Sequence, residues 1–441
     1  MKLESEILDL YDKLHSAGRY EGVFNVPSSD FVEEVLAKIG ELRRKCSSRR
    51  GLYWEQILEL LEYAEFILYY FRAMPGSLLA TTLESYLVSK VFLERKKLDL
   101  NALVRAERML DFIKRLLDRG DDVCIENLEA ELNIILDLLE AMKDSALRKL
   151  REKILYLKRE CEEAKSRISF RLDYDYLVGE LYGIDVRELE AYLDREIYVT
   201  KKLLEKISTQ KVGKLTLSVE EIVGDLRKKA RELIGLPSDE KLYFRRMPEK
   251  LEKYYGLAVY LPSGRTARGS VSGVLMISNK LASLDLGDII LTLAHETYFG
   301  HHLHYASVAN LKTSAIFKIS TYGRATPLVE GVGVYGETVA GHVYGFTSTL
   351  LSRMYLKFLR ARSDIARHKY GLDDRNIEEK FFPEWRNYKI FSKIYPGYWL
   401  CHVAGFKKIT SKNFKSLREF YRSILSLGLV SFRILEEAWA G

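Results

Sequence analysis

The 441-residue sequence predicts a mainly α-helical protein with one small β-sheet. Apolar residues recur at three- and four-residue steps through most of the chain, which is the helical period. Over 242–279 the texture changes to short runs bounded by Pro, Gly and Ser, and these read as strands. Directly after them comes LGDIILTLAHETYFGHHLHY at 286–305, a half-buried helix that ends in four of the chain's eight histidines.

Taken in order, residues 1–165 form an N-terminal region of helix after helix. LESEILDLYDKLH, FVEEVLAKIGELRRK, WEQILELLEYAEFILYYFR and NALVRAERMLDFIKRLLDR carry the pattern. Breaks are expected near Gly18, Pro27-Ser28-Ser29, Pro75-Gly76 and Gly120-Asp121-Asp122, where turn residues gather. Segment 126–166 suits one or two long helices. Its basic run LRKLREKILYLKRE reads as a solvated helix flank.

Residues 166–441 form a second region. It continues helical to about 235, with Ser218 and Glu221 spaced as a capping box. LYFRRM, LAVYLP and SVSGVLMISN are then the strands, and an edge there can add an extended peptide through main-chain hydrogen bonds. Asp285 or Asp288 is placed to cap the helix that follows.

Composition narrows the class. With 47% hydrophobic residues the chain can bury a sizeable core, and 69 basic against 62 acidic side chains leave a net charge of only +7. That spread excess does not mark a nucleic-acid protein. The four cysteines, Cys46, Cys124, Cys161 and Cys401, form no C-x-x-C pair and read as reduced thiols. The N-terminus has no apolar signal core, and no apolar run approaches a membrane span. A cytoplasmic protein is therefore expected. Two glutamines beside abundant Lys, Arg, Glu and Tyr give the bias of a hyperthermophile protein.

The chemistry centres on His295-Glu296. In H-E-x-x-H two histidines share a helix face around zinc and the glutamate acts as general base. Here the spacing is H-E-x-x-x-G-H-H. On a regular helix His301 would lie about 120° off His295, and His302 would be aligned but about 10 Å along the axis. A bulge or loosened turn at Tyr298-Phe299-Gly300 is required, and Gly300 permits it. Which of His301 and His302 reaches the metal stays open.

Three later stretches add candidates. In PLVEGVGVYGETVAGHVYG, Glu330 and Glu337 are seven residues apart and share a face if the segment is helical. Its four glycines each cost about 1 kcal/mol in a helix, yet they let a second helix approach closely. Arg360, Asp364 and His368 form one stripe of the next helix, read either as exposed ion pairs or as an Asp-oriented histidine, or a charged wall, at a cleft. In YPGYWLCHVAG, Tyr398 and His402 are four apart and either can donate to an oxyanion. The tail reads as two closing helices around Gly428.

Together these motifs resemble a family of zinc-peptidase-like proteins, domain of unknown function 885. HETYFGHH at 295–302 is similar to that family's HE-x-x-P-G-H-H, and EGVGVYGE at 330–337 to its E-G-W-A-x-Y-x-E. Arg360, Asp364, His368 and Gly371 fit its R-x-x-x-D-x-x-x-H-x-x-G, and Pro396, Gly397 and Gly405 fit its P-G-x-x-x-x-Y-x-x-G. The resemblance spans roughly residues 170–440. This chain departs from it at Phe299 for proline, Val332 for tryptophan, Tyr398 for glutamine and His402 for tyrosine.

The resemblance implies a bilobed helical metallopeptidase-like fold with a deep central cleft. It implies His295, His301 and Glu330 as zinc ligands, with His302 the alternative to His301. Glu296 would be the base, and Glu337 would support the ligands from behind. His402, Tyr398 and His368 would steady the oxyanion, with Asp364 orienting His368. Apart from the resemblance, Arg324, Arg360 and Lys407 are candidates to hold a peptide's C-terminal carboxylate, since arginine suits bidentate recognition. The expected function is zinc-dependent hydrolysis of short peptides. One alternative is a relative that binds metal or peptide without turnover. The other is nucleic-acid binding through the basic helices, which no recognition motif supports.

Overall fold

The computed structural model describes residues 2–14, 29–88, 100–142, 144–166, 173–207, 218–262, 271–319, 323–381, 385 and 388–440. It is mainly helical, as the periodicity predicts, with one three-stranded sheet. The expected breaks at Gly18 and Pro27-Ser28 lie outside the described residues. Among those residues no helix is long and apolar enough to cross a membrane.

The chain divides into two compact units. The first comprises Met1–Leu172 with the short piece Lys393–Tyr395. Its long helices are Lys2–Leu14, Ser29–Cys46, Leu52–Ala73, Leu100–Arg119, Ile125–Met142 and Arg148–Ala164. Pro75 opens a short helix at its first position, where a missing N–H costs nothing. The 126–166 segment is two helices, divided where the Asp144 side chain accepts from Ala146 N. The basic run lies on the second of them and is matched to acids: Lys149 to Glu107 and Lys153 to Asp111, each at 2.7 Å. The returning piece is held by buried polar side chains. Ser77 Oγ donates to the Ile394 carbonyl at 2.6 Å, and Asn127 Nδ2 donates to the carbonyls of Lys393 and Ile394 at 3.1 and 2.9 Å.

The second unit comprises Asp173–Ser392 and Pro396–Gly441. Helices Tyr174–Tyr182, Val186–Leu204 and Val219–Leu233 lead into the sheet, and the Ser218–Glu221 capping box is formed. The strands are β1 (Lys241–Arg246), β2 (Ala258–Pro262) and β3 (Ser272–Ile277). β3 is central, parallel to β1 and antiparallel to β2. Its apolar run SGVLMI is buried on both faces, as a central strand requires.

The helix Leu286–Glu296 follows and is buried nearly all round. Asp285 occupies its N-cap position, but its side chain makes no capping bond. Asp288 instead faces Arg353 at 3.4 Å. Neither aspartate makes the expected side-chain capping bond, and Asp288 is drawn to a cation.

The chain then breaks at Thr297–Gly300 and restarts as the helix His301–Asn310. The required loosening is thus a full division into two helices. Any Cβ at Gly300 would sit 1.8 Å from the His295 carbonyl oxygen, so only glycine fits this turn.

Thr326–Val343 is one helix despite its glycines. Close packing outweighs propensity here. Gly331 crosses Gly405 of the helix Tyr398–Thr410, where an added Cβ would meet backbone at 2.5 Å. Thr347–His368 packs alongside, and the tail closes as Leu417–Leu425 and Phe432–Ala440 around Gly428.

Candidate metal centre

The break at Thr297–Gly300 redirects the second histidine. The rings of His295 and His301 stand edge to face, with centroids 4.6 Å apart. Glu330 enters from the facing helix. Its Oε2 lies 3.5 Å from His295 Nε2, 3.6 Å from His301 Nε2 and 3.1 Å from His402 Nε2. The approach depends on Gly333, one helical turn on, where a Cβ would fall 2.6 Å from His295 Cε1. Three imidazoles therefore surround one carboxylate oxygen, and all four groups are buried.

Two overlapping sets of ligand atoms lie within 4.8 Å of one another: His295, Glu330 and His402, and His295, Glu296 and His301. Among the described residues, the Nδ1 atoms of His301 and His402 have no hydrogen-bond partner. Imidazole and carboxylate donors in a buried cluster suit a first-row divalent ion. The residues present therefore fit a metal.

The surroundings orient these groups. His295 Nδ1 is 2.8 Å from Glu337 Oε1, so its Nε2 faces the cluster. Such a carboxylate behind a ligating histidine fixes the ring and its tautomer. Glu337 Oε2 accepts from Arg353 Nε and Lys357 Nζ, both at 2.8 Å. Glu296 Oε2 accepts from the backbone N–H of Tyr260 at 2.8 Å. Tyr398 O–H donates to Glu330 Oε1 at 2.6 Å.

Electrostatics follow from burial and partners. Burial opposes charge on His295, but its bonds to Glu330 and Glu337 win and raise its pKa from the ordinary 6.5 to about 9. Burial dominates at His402, pushing it down to about 3, so this ring is neutral. Burial also raises the Glu296 carboxyl above its usual range, as suits a base.

A pH dependence follows for the metal-free protein. A raised histidine pKa contributes stability that is complete below 6.5 and lost as pH climbs through about 9. A metal must displace that same proton. Apparent metal affinity is therefore expected to rise about tenfold per pH unit between 7 and 9, read by competition with a chromophoric chelator. A flat profile would show that His295 carries no proton to displace.

Other expected residues go elsewhere. His302 is turned from the cluster, with Nε2 3.0 Å from Glu240 Oε2 and Nδ1 3.4 Å from Tyr260 O–H. His368 bonds through Nε2 to Ser392, at 3.0 Å to its carbonyl and 3.1 Å to its hydroxyl. Asp364 stands 3.9 Å from that nitrogen, too far to orient it directly. Its carboxylate instead accepts from Tyr174 O–H at 2.5 Å, Gly397 N at 2.7 Å and the Ser392 hydroxyl. It anchors the turn before Tyr398. Arg360 does not pair with Asp364 either and donates to Tyr388 O–H. The stripe of 360, 364 and 368 is thus neither an exposed ladder nor an Asp–His pair.

Sequence reading passed over Arg353, Lys357 and the Tyr260 N–H. The two cations had a signal. With Arg360 they stand at i, i+4 and i+7, one face of a helix whose neighbours are apolar. The backbone donor had none.

The family whose description reads "Bacterial protein of unknown function (DUF885)" matches residues 135–367, more than half of the chain. The chain belongs to that family. Among solved structures, the putative lipoprotein from Colwellia psychrerythraea is similar at a TM-score of 0.65 and 11% identity, over 99% of this chain and 98% of that one. At that identity the likeness concerns the fold. No curated protein matches the chain.

The expectation of a cytoplasmic protein is corrected here. A protein with this fold from end to end is described as a lipoprotein, so the fold is not tied to the cytoplasm. The four cysteines are thiols, three of them buried, and do not report a compartment.

Proposed function

We propose that this DUF885 protein is a zinc-dependent peptidase acting on short peptides. The observation that carries the reading is the meeting of His295, His301 and Glu330 with Glu296 beside them. His295, His301 and Glu330 would hold the ion, which supplies Lewis acidity toward water and the scissile carbonyl. Glu296 takes the proton of the attacking water on its carboxylate and delivers it to the leaving amine. The Tyr260 N–H fixes the carboxylate for that transfer. Tyr398 O–H and His402 lie closest to Glu330 and are the groups in reach of a developing oxyanion.

The sheet edge supports a peptide substrate. Ser278 N donates to the Leu257 carbonyl, and the β2–β3 pairing aligns Ala258 with Ile277. Ala258, Tyr260 and Pro262 therefore turn their main-chain groups away from β3. That edge meets Glu296 at Tyr260, so an extended peptide laid along β2 would present its backbone beside the base.

A second reading has its own support. His402 adds a third imidazole to the same carboxylate oxygen, and a shell closed by four protein donors is the mark of a non-catalytic zinc site. Peptide bound without turnover would then be expected.

One experiment separates the two. Purified protein is assayed for metal content, then for hydrolysis of tri- to pentapeptides before and after chelation and zinc return. One equivalent of zinc and cleavage that vanishes and recovers with it are expected. Full zinc with no cleavage would favour the closed site.

A further inference from the structure

Three cations line one face of the helix Thr347–His368: Arg353, Lys357 and Arg360. The Glu337 carboxylate takes the first two. Arg360 has no carboxylate. It lies over the ring of Tyr388, 3.7 Å from its centroid, donates Nη2 to that residue's hydroxyl, and leaves its buried Nε without a partner. The Trp399 indole nitrogen beside it is also buried and unbonded, with Arg360 5.6 Å from the ring centroid. Trp399 in turn stacks on His402 at 5.6 Å, and His402 touches Glu330. A guanidinium N–H and an indole N–H thus stand near the metal group with no acceptor among the described residues.

The other cations considered for this role are engaged. Arg324 is bound to Glu180 at 2.7 Å, and Lys407 to Glu188. A buried N–H left without an acceptor is unfavourable, and an arriving anion would satisfy it. A guanidinium stacked on an aromatic ring keeps its edge for a planar, two-oxygen acceptor.

We propose that Arg360 and the Trp399 indole form a carboxylate subsite beside the metal group, and that it receives the free C-terminus of the substrate. The assignment to a C-terminus rests on the peptidase reading; the subsite does not. The enzyme would then act at the C-terminal end of short peptides and discriminate against amidated ones.

The test has a binding arm and a turnover arm. By calorimetry, 3-phenylpropionate is expected to bind the zinc-loaded protein and 3-phenylpropionamide is not. Arg360→Gln should lose the acid about 10- to 100-fold, Arg360→Lys should lose less, and Trp399→Phe should weaken it several-fold. In turnover, Arg360→Gln should raise KM for an N-blocked tripeptide acid by the same factor with kcat little changed. The slower cleavage of the matching amide should not move. Equal binding of acid and amide, or unchanged acid binding in Arg360→Gln, would overturn the subsite. Acid binding that depends on Arg360 without any cleavage would sink only the peptidase reading. An amidated peptide carrying a glutamate side chain, cleaved as well as the free acid, would overturn the C-terminal assignment.

Discussion

Replacing Glu296 by glutamine is expected to lower peptide hydrolysis by about two to four orders of magnitude while zinc content stays at that of the parent. The side chain is half-buried, and its Oε2 is already held by the Tyr260 N–H at 2.8 Å. Glutamine keeps the shape and can accept that same bond through its amide oxygen. What it loses is the ability to take a proton, the step assigned to this position. The measurement is kcat on a short peptide beside metal analysis of the same preparation. A fully loaded Glu296→Gln protein that cleaves as fast as the parent would end the general-base mechanism, whatever the metal does.

Glu337→Ala should be the most damaging single change to the folded state. Three partners converge on this carboxylate, which is 1% exposed: His295 Nδ1 on Oε1, and Arg353 and Lys357 on Oε2. Burial works against its charge, but Arg353 and Lys357 outweigh it and hold the group well below the usual carboxylate range. Removing it strands the buried Lys357 and leaves Arg353 only Thr292 and Asp288, and breaking a buried pair from one side costs about 3–5 kcal/mol. His295 also loses the partner that sets its orientation, a change that costs about 10- to 100-fold in metal affinity. Urea unfolding of the metal-free protein reads the first effect, and chelator competition reads the second. Glu337→Gln should fall between, since it keeps an acceptor without the charge. Unfolding midpoints within a few tenths molar of the parent would show that the cations find other partners.

Much of this site was legible before any coordinates. The misfit of H-E-x-x-x-G-H-H to a regular helix demanded a break, and the glycine marked where it falls. The Glu330–Glu337 spacing put two carboxylates on one face of a helix that propensity alone would have denied. What ruled there was the close approach of a second backbone at Gly331 and Gly405, a tertiary effect that no local count contains. His301 and His302 could not be told apart because they are adjacent and chemically alike. Glu240, 62 residues upstream of His302, and Tyr260 separate them. Asp364 and His368 come within 3.9 Å, but the bonds the carboxylate makes were hidden for a related reason. Their spacing is right for a pair, but Tyr174, Ser392 and Gly397 compete for the carboxylate, and all are distant in sequence.

The return of Lys393–Tyr395 to the first unit bears on how the protein can be dissected. The chain passes from one unit to the other at 172/173, at 392/393 and again at 395/396, so no single cut of the gene yields both intact. A fragment ending at 172 would keep Ser77 and Asn127, each at most 1% exposed, yet lose the carbonyls they bond. The remainder would carry a three-residue splint with nothing to grip, five positions from the start of the segment bearing Tyr398 and His402. Limited proteolysis that nicks near 172 should therefore leave the two pieces travelling together on a native column.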